Sequence, residues 1–251
     1  MAGHSKWANI KHRKGAQDAK RGKIFTRIIK ELSVAAKESG ADPETNPRLR
    51  TAIQNAKGAN MPKDTMGRAI KKATDKDATS YSEVTFEGYA SNGVAVFVEC
   101  TTDNNNRTVG NVRSYFSKYG GDLGTNGSLE FIFDRKGVFV LDAEQVQMEL
   151  EELEMELIDG GLEELGQEGE TITLYTDFAD FSNMQKQLEN MSLETKSADL
   201  QRIPNNTKAL DVDKAKSVLK LIDKIEEDDD VQHVFHNLEM TEELMAALEA
   251  E

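Results

Sequence analysis

The chain contains one cysteine, four prolines and one tryptophan among its 251 residues, and it has no long uninterrupted apolar run. A single thiol, Cys100, excludes an intramolecular disulfide and a multi-cysteine metal site, which fits a reducing compartment. No apolar run approaches the roughly 20 residues that a membrane-spanning helix needs. The basic N-terminus, residues 1–14, lacks the apolar stretch of a secretory signal. We therefore expect a cytoplasmic protein without a membrane partner.

Positive charge is missing from one long stretch of the chain. No Lys or Arg occurs between Lys136 and Lys186, where fourteen acidic residues lie. A solvated surface explains much of this acidity. The sharper alternatives are a segment that imitates a phosphate chain, binds basic proteins or competes for the basic part of the same chain.

Positive charge is concentrated at the other end. The first 76 residues carry 18 Lys and Arg against 7 Asp and Glu, whereas the remaining 175 carry 13 against 38. The total net charge of -14 hides this division. A short segment with so large a positive excess can lie along phosphates and release their condensed counterions. We therefore expect a nucleic-acid partner for the basic part.

Apolar periodicity predicts three short amphipathic helices in the basic part. The first covers residues 17–39, where apolar residues recur every three or four positions. Asn46 before Pro47 is typical of the N-cap of a second helix, and a third begins near Pro62. Residues 1–16 are predicted to form a mobile basic arm. Four cations lie outside the stripe of the first helix and are expected to face solvent: Lys20, Lys23, Arg27 and Lys30.

After a polar linker, short strands alternate with helices. Ser91-Asn92-Gly93 between two apolar runs is typical of a hairpin. Two further strands are predicted at Leu129–Phe133 and Val138–Leu141, separated by a turn, and a helix is predicted from Ala143 to about Leu157.

These elements predict an α+β fold with an N-terminal three-helix domain followed by two ferredoxin-like α/β modules, the second inserted in the first. The first module lacks a last helix and strand, and the residues after Pro204 supply one of each. The predicted divisions are a basic mobile arm at 1–16, a helical domain at 17–79, an α/β domain at 80–134 plus 205–242, an inserted acidic α/β domain at 135–204 and a C-terminal tail at 243–251.

Several residues are candidates for contact with nucleic acid. Trp7 stands among cations and either stacks on an unpaired base or anchors the arm. Asn104 and Arg107 open a helix after a strand, where they either receive an anion or cap the helix. The predicted nucleic-acid-binding residues are Lys6, Trp7, Lys11, Arg13, Lys14, Lys20, Arg21, Lys23, Arg27, Lys30, Arg48, Arg50, Lys57, Lys63, Arg68, Lys71, Lys72, Asn104 and Arg107. The candidates for reading base edges are Asn9, Gln54 and Asn55.

The sequence offers little for catalysis. His233 and His236 are three apart in a predicted strand, so their side chains should lie on opposite faces and not share a metal. The glycine-rich segment 120–127 lacks the Gly-Lys-Ser/Thr ending of a phosphate-binding loop and is predicted to be a flexible turn. No paired nucleophile and base stands out. We expect a protein that is not an enzyme and uses no metal or cofactor.

Motifs along nearly the whole chain resemble the YebC/PmpR family. They are Gly3-His4-Ser5-Lys6-Trp7-Ala8-Asn9-Ile10-Lys11, Asp18-Ala19-Lys20-Arg21-Gly22-Lys23-Ile24-Phe25, Asn46-Pro47-Arg48-Leu49-Arg50, Asn60-Met61-Pro62-Lys63-Asp64, Glu87-Gly88-Tyr89, Asn106-Arg107-Thr108 and Gly120-Gly121. The resemblance implies a helical N-terminal domain followed by two related α/β domains. It also implies one of two roles, since some members resemble DNA-binding transcriptional regulators and others resemble ribosome-associated factors that relieve stalling at proline-rich stretches. Mitochondrial relatives resemble translational activators of a cytochrome oxidase subunit.

The residues and the resemblance together predict a nucleic-acid-binding regulator of gene expression. Its target is promoter DNA in the transcriptional role and ribosomal RNA, with the ribosome as partner, in the translational one. A protein-binding adaptor that uses no nucleic acid is the remaining alternative. A monomer or a weak dimer is expected, because the sequence offers no zipper or evident dimer seam.

Overall fold

The computed structural model describes residues 17–250, with side chains described from residue 22 onward. Two compact units make up the chain, and each is built from two separate stretches. Within the described residues, unit 1 contains the chain up to Lys76 together with Arg135–Ile203, and unit 2 contains Asp77–Asp134 together with the chain from Pro204 onward. The finer five-part division remains a prediction.

Unit 1 begins with three helices, as the periodicity predicts. They are α1 (Gln17–Ser39), α2 (Pro47–Gly58) and α3 (Lys63–Ala73). The predicted cap of α2 is confirmed, because the Asn46 side chain accepts a hydrogen bond from the Leu49 N–H at 3.0 Å. The same side chain donates to the carbonyl oxygens of Ala35 and Gly40, at 2.7 and 2.8 Å. Asn46 therefore ties the end of α1 to the start of α2, whose core includes Leu32 and Leu49.

Unit 2 opens with the predicted hairpin. Its elements before the chain returns to unit 1 are β1 (Ser82–Tyr89), β2 (Ala95–Thr102), α4 (Asn105–Lys118) and the two-residue strand β3 (Asp122–Leu123). Strands β1 and β2 are antiparallel, with Ser82 opposite Thr102 and Tyr89 opposite Ala95. Strand β2 is buried along nearly its whole length, because apolar residues fill almost every position from Ala95 to Cys100.

The next stretch runs into unit 1 and follows the order β-α-β-β-α-β, which is the order of a ferredoxin-like module. Its elements are β4 (Phe133–Asp142), α5 (Leu150–Leu157), β5 (Leu162–Glu168), β6 (Thr171–Asp177), α6 (Phe181–Asn190) and β7 (Thr195–Pro204). The sheet has the strand order β5-β6-β4-β7. Its core is formed by side chains such as Phe139, Leu153 and Leu174, each fully buried.

The chain then completes unit 2 with α7 (Val212–Glu226), β8 (Val231–His236) and α8 (Glu242–Glu249). Strand β8 pairs antiparallel with β2, so the second sheet has the order β3-β1-β2-β8. The segment predicted only as a C-terminal tail includes most of α8, whose Leu244 is buried. The predicted α+β class, with a helical N-terminal region followed by two antiparallel sheets, is confirmed.

Three predicted elements are wrong, and one strand was not predicted. The strand predicted at Leu129–Phe133 is mostly a short 3-10 turn, Glu130–Ile132. The turn predicted after it lies inside the single strand β4, where Gly137 pairs with Thr176 in β6. The glycine serves a close approach, because a Cβ there would meet the Thr176 hydroxyl and the Phe181 ring. The helix expected from Ala143 is confined to Leu150–Leu157, since a short 3-10 turn capped by Asp142 precedes it. Strand β5 has no counterpart in the sequence prediction.

Candidate nucleic-acid interface

Part of the predicted interface lies outside the described residues. This holds for the whole of the proposed arm and for two side chains at the start of α1. The residues concerned are Lys6, Trp7, Asn9, Lys11, Arg13, Lys14, Lys20 and Arg21. Their roles remain predictions.

The cations of α1 are less exposed than the periodicity suggests. Lys23 and Arg27 are half-buried, and Lys30 is only 8% exposed. The expectation that they face solvent is therefore wrong for Lys30. The reason is that α1 packs against both α2 and α3, which covers more of its circumference than one apolar stripe. A lysine can line such a contact with its aliphatic stem.

Two arginines of α2 have protein partners. Arg48 donates to both carboxylate oxygens of Glu31, at 2.7 and 3.1 Å, and to Glu38 at 3.0 Å. Arg50 donates to the carbonyl oxygens of Pro43 and Glu44, at 3.1 and 3.2 Å. These contacts tie α2 to α1 and to the connecting loop. A phosphate contact by Arg48 has to compete with two carboxylates already in place.

Exposed lysines lie on α3 and at the end of α2. Lys63, Lys71 and Lys72, which we call the α3 lysines, are all exposed, and so is Lys57 in the last turn of α2. None of the four has an ion pair within residues 22–250. Arg68 is also exposed, but its guanidinium bonds to its own helix, to the Asp64 carbonyl at 3.2 Å. The α3 lysines are therefore available to an external anion.

The two described candidates for base reading are engaged inside unit 1. The Asn55 side chain accepts from the Ala198 N–H at 2.8 Å and donates to the Ala198 carbonyl at 2.9 Å. Gln54 accepts from the Gln185 side-chain amide at 3.1 Å. Base reading by Gln54 and Asn55 remains a prediction, and in this structure both side chains are engaged within unit 1. Asn55 satisfies backbone groups of β7, an edge strand, and covering such edges is a common device in sheets.

Asn104 has the capping role that the sequence left open, whereas the Arg107 side chain pairs with two carboxylates. The Asn104 side chain accepts from the Arg107 N–H at 3.1 Å and caps α4. The Arg107 guanidinium donates to Asp230 at 2.6 Å and to Asp103 at 2.8 Å. Hydrogen bonding to Asp230, and then to Asp103, raises the pKa of Arg107. Its charge is compensated by these carboxylates, so anion binding there is not favoured by the geometry.

Two family models match this chain over nearly its whole length. A model described as the TACO1/YebC protein N-terminal domain matches residues 5–76, and one described as the TACO1/YebC second and third domain matches residues 81–238. The chain belongs to the TACO1/YebC family.

Full-length relatives agree with this assignment. A "probable transcriptional regulatory protein" of Amoebophilus asiaticus is 54% identical over 240 residues, covering 95% of this chain and 98% of that protein. One of Geobacillus thermodenitrificans is 51% identical over 240 residues, covering 95% and 97%. The crystal structure of a conserved hypothetical protein from Aquifex aeolicus, 41% identical, has a TM-score of 0.83 over 96% of this chain and 99% of that one.

Two buried acids that hydrogen-bond loops and helices of unit 2 in this TACO1/YebC protein were not predicted from the sequence. Glu87 is 1% exposed, and its two oxygens accept from the Gly127 and Leu129 N–H groups, both at 2.6 Å. The Glu87 carbonyl also accepts from the Gly124 N–H at 2.8 Å. The glycine-rich segment is thus held by β1, contrary to the flexible turn predicted for it. A glutamate in a strand gives no sequence signal of burial, because strands commonly expose acids.

Asp230 is the second buried acid of unit 2. One of its oxygens accepts from the hydroxyls of Thr102 and Thr108, at 3.1 and 2.9 Å, in addition to Arg107. The neighbouring Asp228 accepts from the Tyr115 hydroxyl at 2.9 Å. Burial, and then this hydrogen bond, raise the pKa of Tyr115 to about 12. The network ties α4 to the segment that precedes β8.

The histidines of β8 do not form a metal site. His236 is buried, and burial lowers its pKa to about 3, whereas His233 is half-buried and stacks on the Phe235 ring at 5.7 Å between centroids. Within the described range 17–250, no group of three or more His, Cys, Asp or Glu side chains is placed to hold a metal ion. No helix in that same range is long and apolar enough to cross a membrane.

Proposed function

We propose that this protein is a regulator of gene expression that binds nucleic acid through its N-terminal helices. The names of its relatives, probable transcriptional regulatory proteins at about half identity over nearly the whole chain, support the regulatory role. The charge division supports the partner, because the positive excess is confined to the first 76 residues.

The α3 lysines are the observation that carries this proposal. They are spread over the exposed side of α3, and the opposite side packs through Met66, Ala69 and Ala73. Because one face of this 11-residue helix is buried, the positions of the lysines on its other face are fixed relative to one another. Such a surface suits phosphates at regular spacing, and each contact releases counterions.

The mode of contact we propose is recognition of the backbone rather than of base edges. Side-chain amides are the groups best suited to reading adenine, and those of α2 are occupied by β7 and α6. The exposed side of α3 carries Lys, Arg and Asp but no Asn or Gln. Phosphate contacts position a protein without reading sequence.

Recognition of the backbone also suits a second candidate function, that of a ribosome-associated translation factor. A transcriptional regulator needs base readout or DNA deformation to find its promoter, whereas a ribosome-associated factor can recognise folded RNA by shape and phosphates. The occupied amides of α2 are the specific observation that favours the translational candidate. Sequence-specific DNA binding would have to rely on the lysines and Arg68 of α3, which can pair with guanine, or on residues outside the described range, such as those of the predicted arm.

Ultraviolet crosslinking in growing cells tests the proposal directly. The intact protein is recovered, and the DNA and the RNA attached to it are both sequenced. Discrete ribosomal RNA positions would establish the translational role, and discrete promoters with little RNA would establish the transcriptional one. Recovery of neither nucleic acid above an uncrosslinked control would overturn the proposal in favour of a protein-binding adaptor.

A further inference from the structure

Helix α5 and the residue that follows it, Ile158, expose an apolar pair that is not packed in the core of the protein. Met155 is 66% exposed and Ile158, one turn later, is 60% exposed. The same helix already buries Leu153 and Leu157 completely in the core of the inserted sheet. At 3.6 residues per turn, Met155 and Ile158 lie on the side away from these leucines. The packing of α5 therefore leaves a second, solvent-facing apolar face.

Acidic side chains surround this apolar pair. Glu151 lies four residues before Met155, Glu154 lies four before Ile158, and Asp159 lies four after Met155. All three are exposed, and none has an ion pair within residues 22–250. We call Met155 and Ile158 with these three carboxylates the α5 patch. The negative field of the patch is therefore not cancelled by cations of the described chain.

The position of two of the carboxylates is unfavourable for the helix itself. Glu154 is in the last turn of α5 and Asp159 is just beyond it, and the last turn contains no basic residue. The carboxyl end of a helix carries partial negative charge, so negative side chains there are repelled. Solvation of this face alone does not require carboxylates at the carboxyl end of the helix. A cation bound beside the two carboxylates would remove the repulsion.

We infer that the α5 patch is a docking site for a basic amphipathic protein segment, one that presents an apolar side chain between lysines or arginines. Charge complementarity selects this occupant, because an acidic or neutral segment would leave the carboxylates uncompensated. The apolar pair selects a partner with an anchor, since exposed apolar residues rimmed by polar ones are typical of protein contacts. The methionine suits such a role, because its flexible side chain adapts to different partners.

A synthetic peptide tests this inference with the full-length protein. The probe is a fluorescent 14-residue helix of Leu and Lys, and its binding is followed by fluorescence anisotropy. Met155→Gln with Ile158→Gln should weaken binding tenfold or more. Phe131→Ser, which removes an apolar side chain that is 73% exposed in unit 2, should change binding by less than twofold. Circular dichroism confirms that each variant is folded.

Matched charge variants test the acidic rim separately. Glu154→Gln with Asp159→Asn should weaken peptide binding at least threefold. Glu168→Gln with Glu170→Gln removes the same charge from the exposed end of β5 and the turn that follows it, and should change binding by less than twofold. A lysine-only peptide of equal charge should bind at least tenfold more weakly than the Leu and Lys helix.

Three outcomes would overturn the inference. One is unchanged binding to the Met155 and Ile158 variant, which would reduce the patch to general charge attraction. The second is equal loss in the two charge variants. The third is self-association in sedimentation that disappears with Met155→Gln and Ile158→Gln, which would make a second copy of this chain the occupant. The experiment contains no nucleic acid, so its failure leaves the proposed function standing.

Discussion

Glu87 shows at the residue scale how one buried acid organises a loop. Its carboxylate accepts two backbone N–H groups, from Gly127 and Leu129, and is 1% exposed. In Glu87→Gln one of these oxygens becomes an amide nitrogen that faces an N–H donor. We expect a loss of about 2 kcal/mol in the free energy of unfolding, because hydrogen bonds to charged groups contribute about 1.5–3 kcal/mol.

Urea unfolding followed by circular dichroism measures this change. Glu130→Gln is the matched control, since Glu130 is exposed in the same unit and its replacement should cost less than about 0.5 kcal/mol. Equal effects of the two substitutions would show that the Glu87 contacts contribute nothing specific.

His236 gives unit 2 a dependence on pH. Burial lowers its folded-state pKa to about 3, below the ordinary value of 6.5. The unfolded chain therefore takes up a proton more readily than the folded one between these values. The contribution of the neutral histidine to stability is complete above pH 6.5 and is lost as the pH falls toward 3.

Replacement of His236 by a ring that does not titrate tests this dependence. Between pH 7 and pH 5 the histidine should account for about 2 kcal/mol of lost stability. His236→Phe should reduce the pH 7 to pH 5 difference in unfolding free energy by that amount, whatever its effect at pH 7 alone. The measurement is urea unfolding at both pH values, and an unchanged difference would assign the acid sensitivity to other groups.

At the scale of elements, the packing of α2 on β7 depends on a glycine. A Cβ on Gly58 would overlap the Lys196 carbonyl oxygen of β7, whereas one on Gly67 of α3 would meet nothing within 4 Å. Gly58→Ala should therefore destabilise the protein by about 1–3 kcal/mol. Gly67→Ala should stabilise it by about 0.5–1 kcal/mol, because alanine is the better residue inside a helix. Thermal unfolding of the two variants compares them, and a shift of the same sign would contradict the close contact.

The same elements show what the sequence can predict and what it cannot. Helix α1 and the Asn46 cap of α2 follow from spacing and local hydrogen bonding, so both were predictable. Strand β5 was not, because Glu163, Glu164 and Glu168 give it a weak strand pattern and its pairing with β6 decides its structure. Gly137 was predicted to lie in a turn because glycine is common in turns. Its role in the strand depends on the close approach of Thr176 in β6 and Phe181 in α6, which the sequence alone does not show.

The candidate interface, too, could be predicted only in part from the sequence. Composition predicts where positive charge is concentrated, but the three-dimensional partners decide which cations are available. Arg48 and Arg107 have the same sequence signal as the α3 lysines, yet carboxylates distant in sequence, Glu31 and Asp230, compensate them. No local sequence pattern predicts these ion pairs.

At the scale of the whole molecule, the division of charge predicts how nucleic-acid binding responds to salt. If the α3 lysines each contact a phosphate, neutralising all three with glutamine should lower the slope of log Kd against log salt by about 2–3. The affinity at low salt should fall in parallel. Titrations of a 20-base-pair DNA duplex and of an RNA hairpin, followed by anisotropy between about 50 and 200 mM salt, measure both quantities.

The control for this prediction separates contact from net charge. Lys118, Lys208 and Lys220 are exposed in unit 2, and their replacement by glutamine changes the net charge of the protein by the same three units. Because counterion release depends on phosphates that are contacted, this control should leave the salt slope unchanged, whereas attraction by total charge would affect both variants alike. Equal salt slopes for the two triple variants would show that the α3 lysines do not contact phosphates. A reduced slope in the α3 variant alone, on one of the two probes, would show whether DNA or RNA fits that helix.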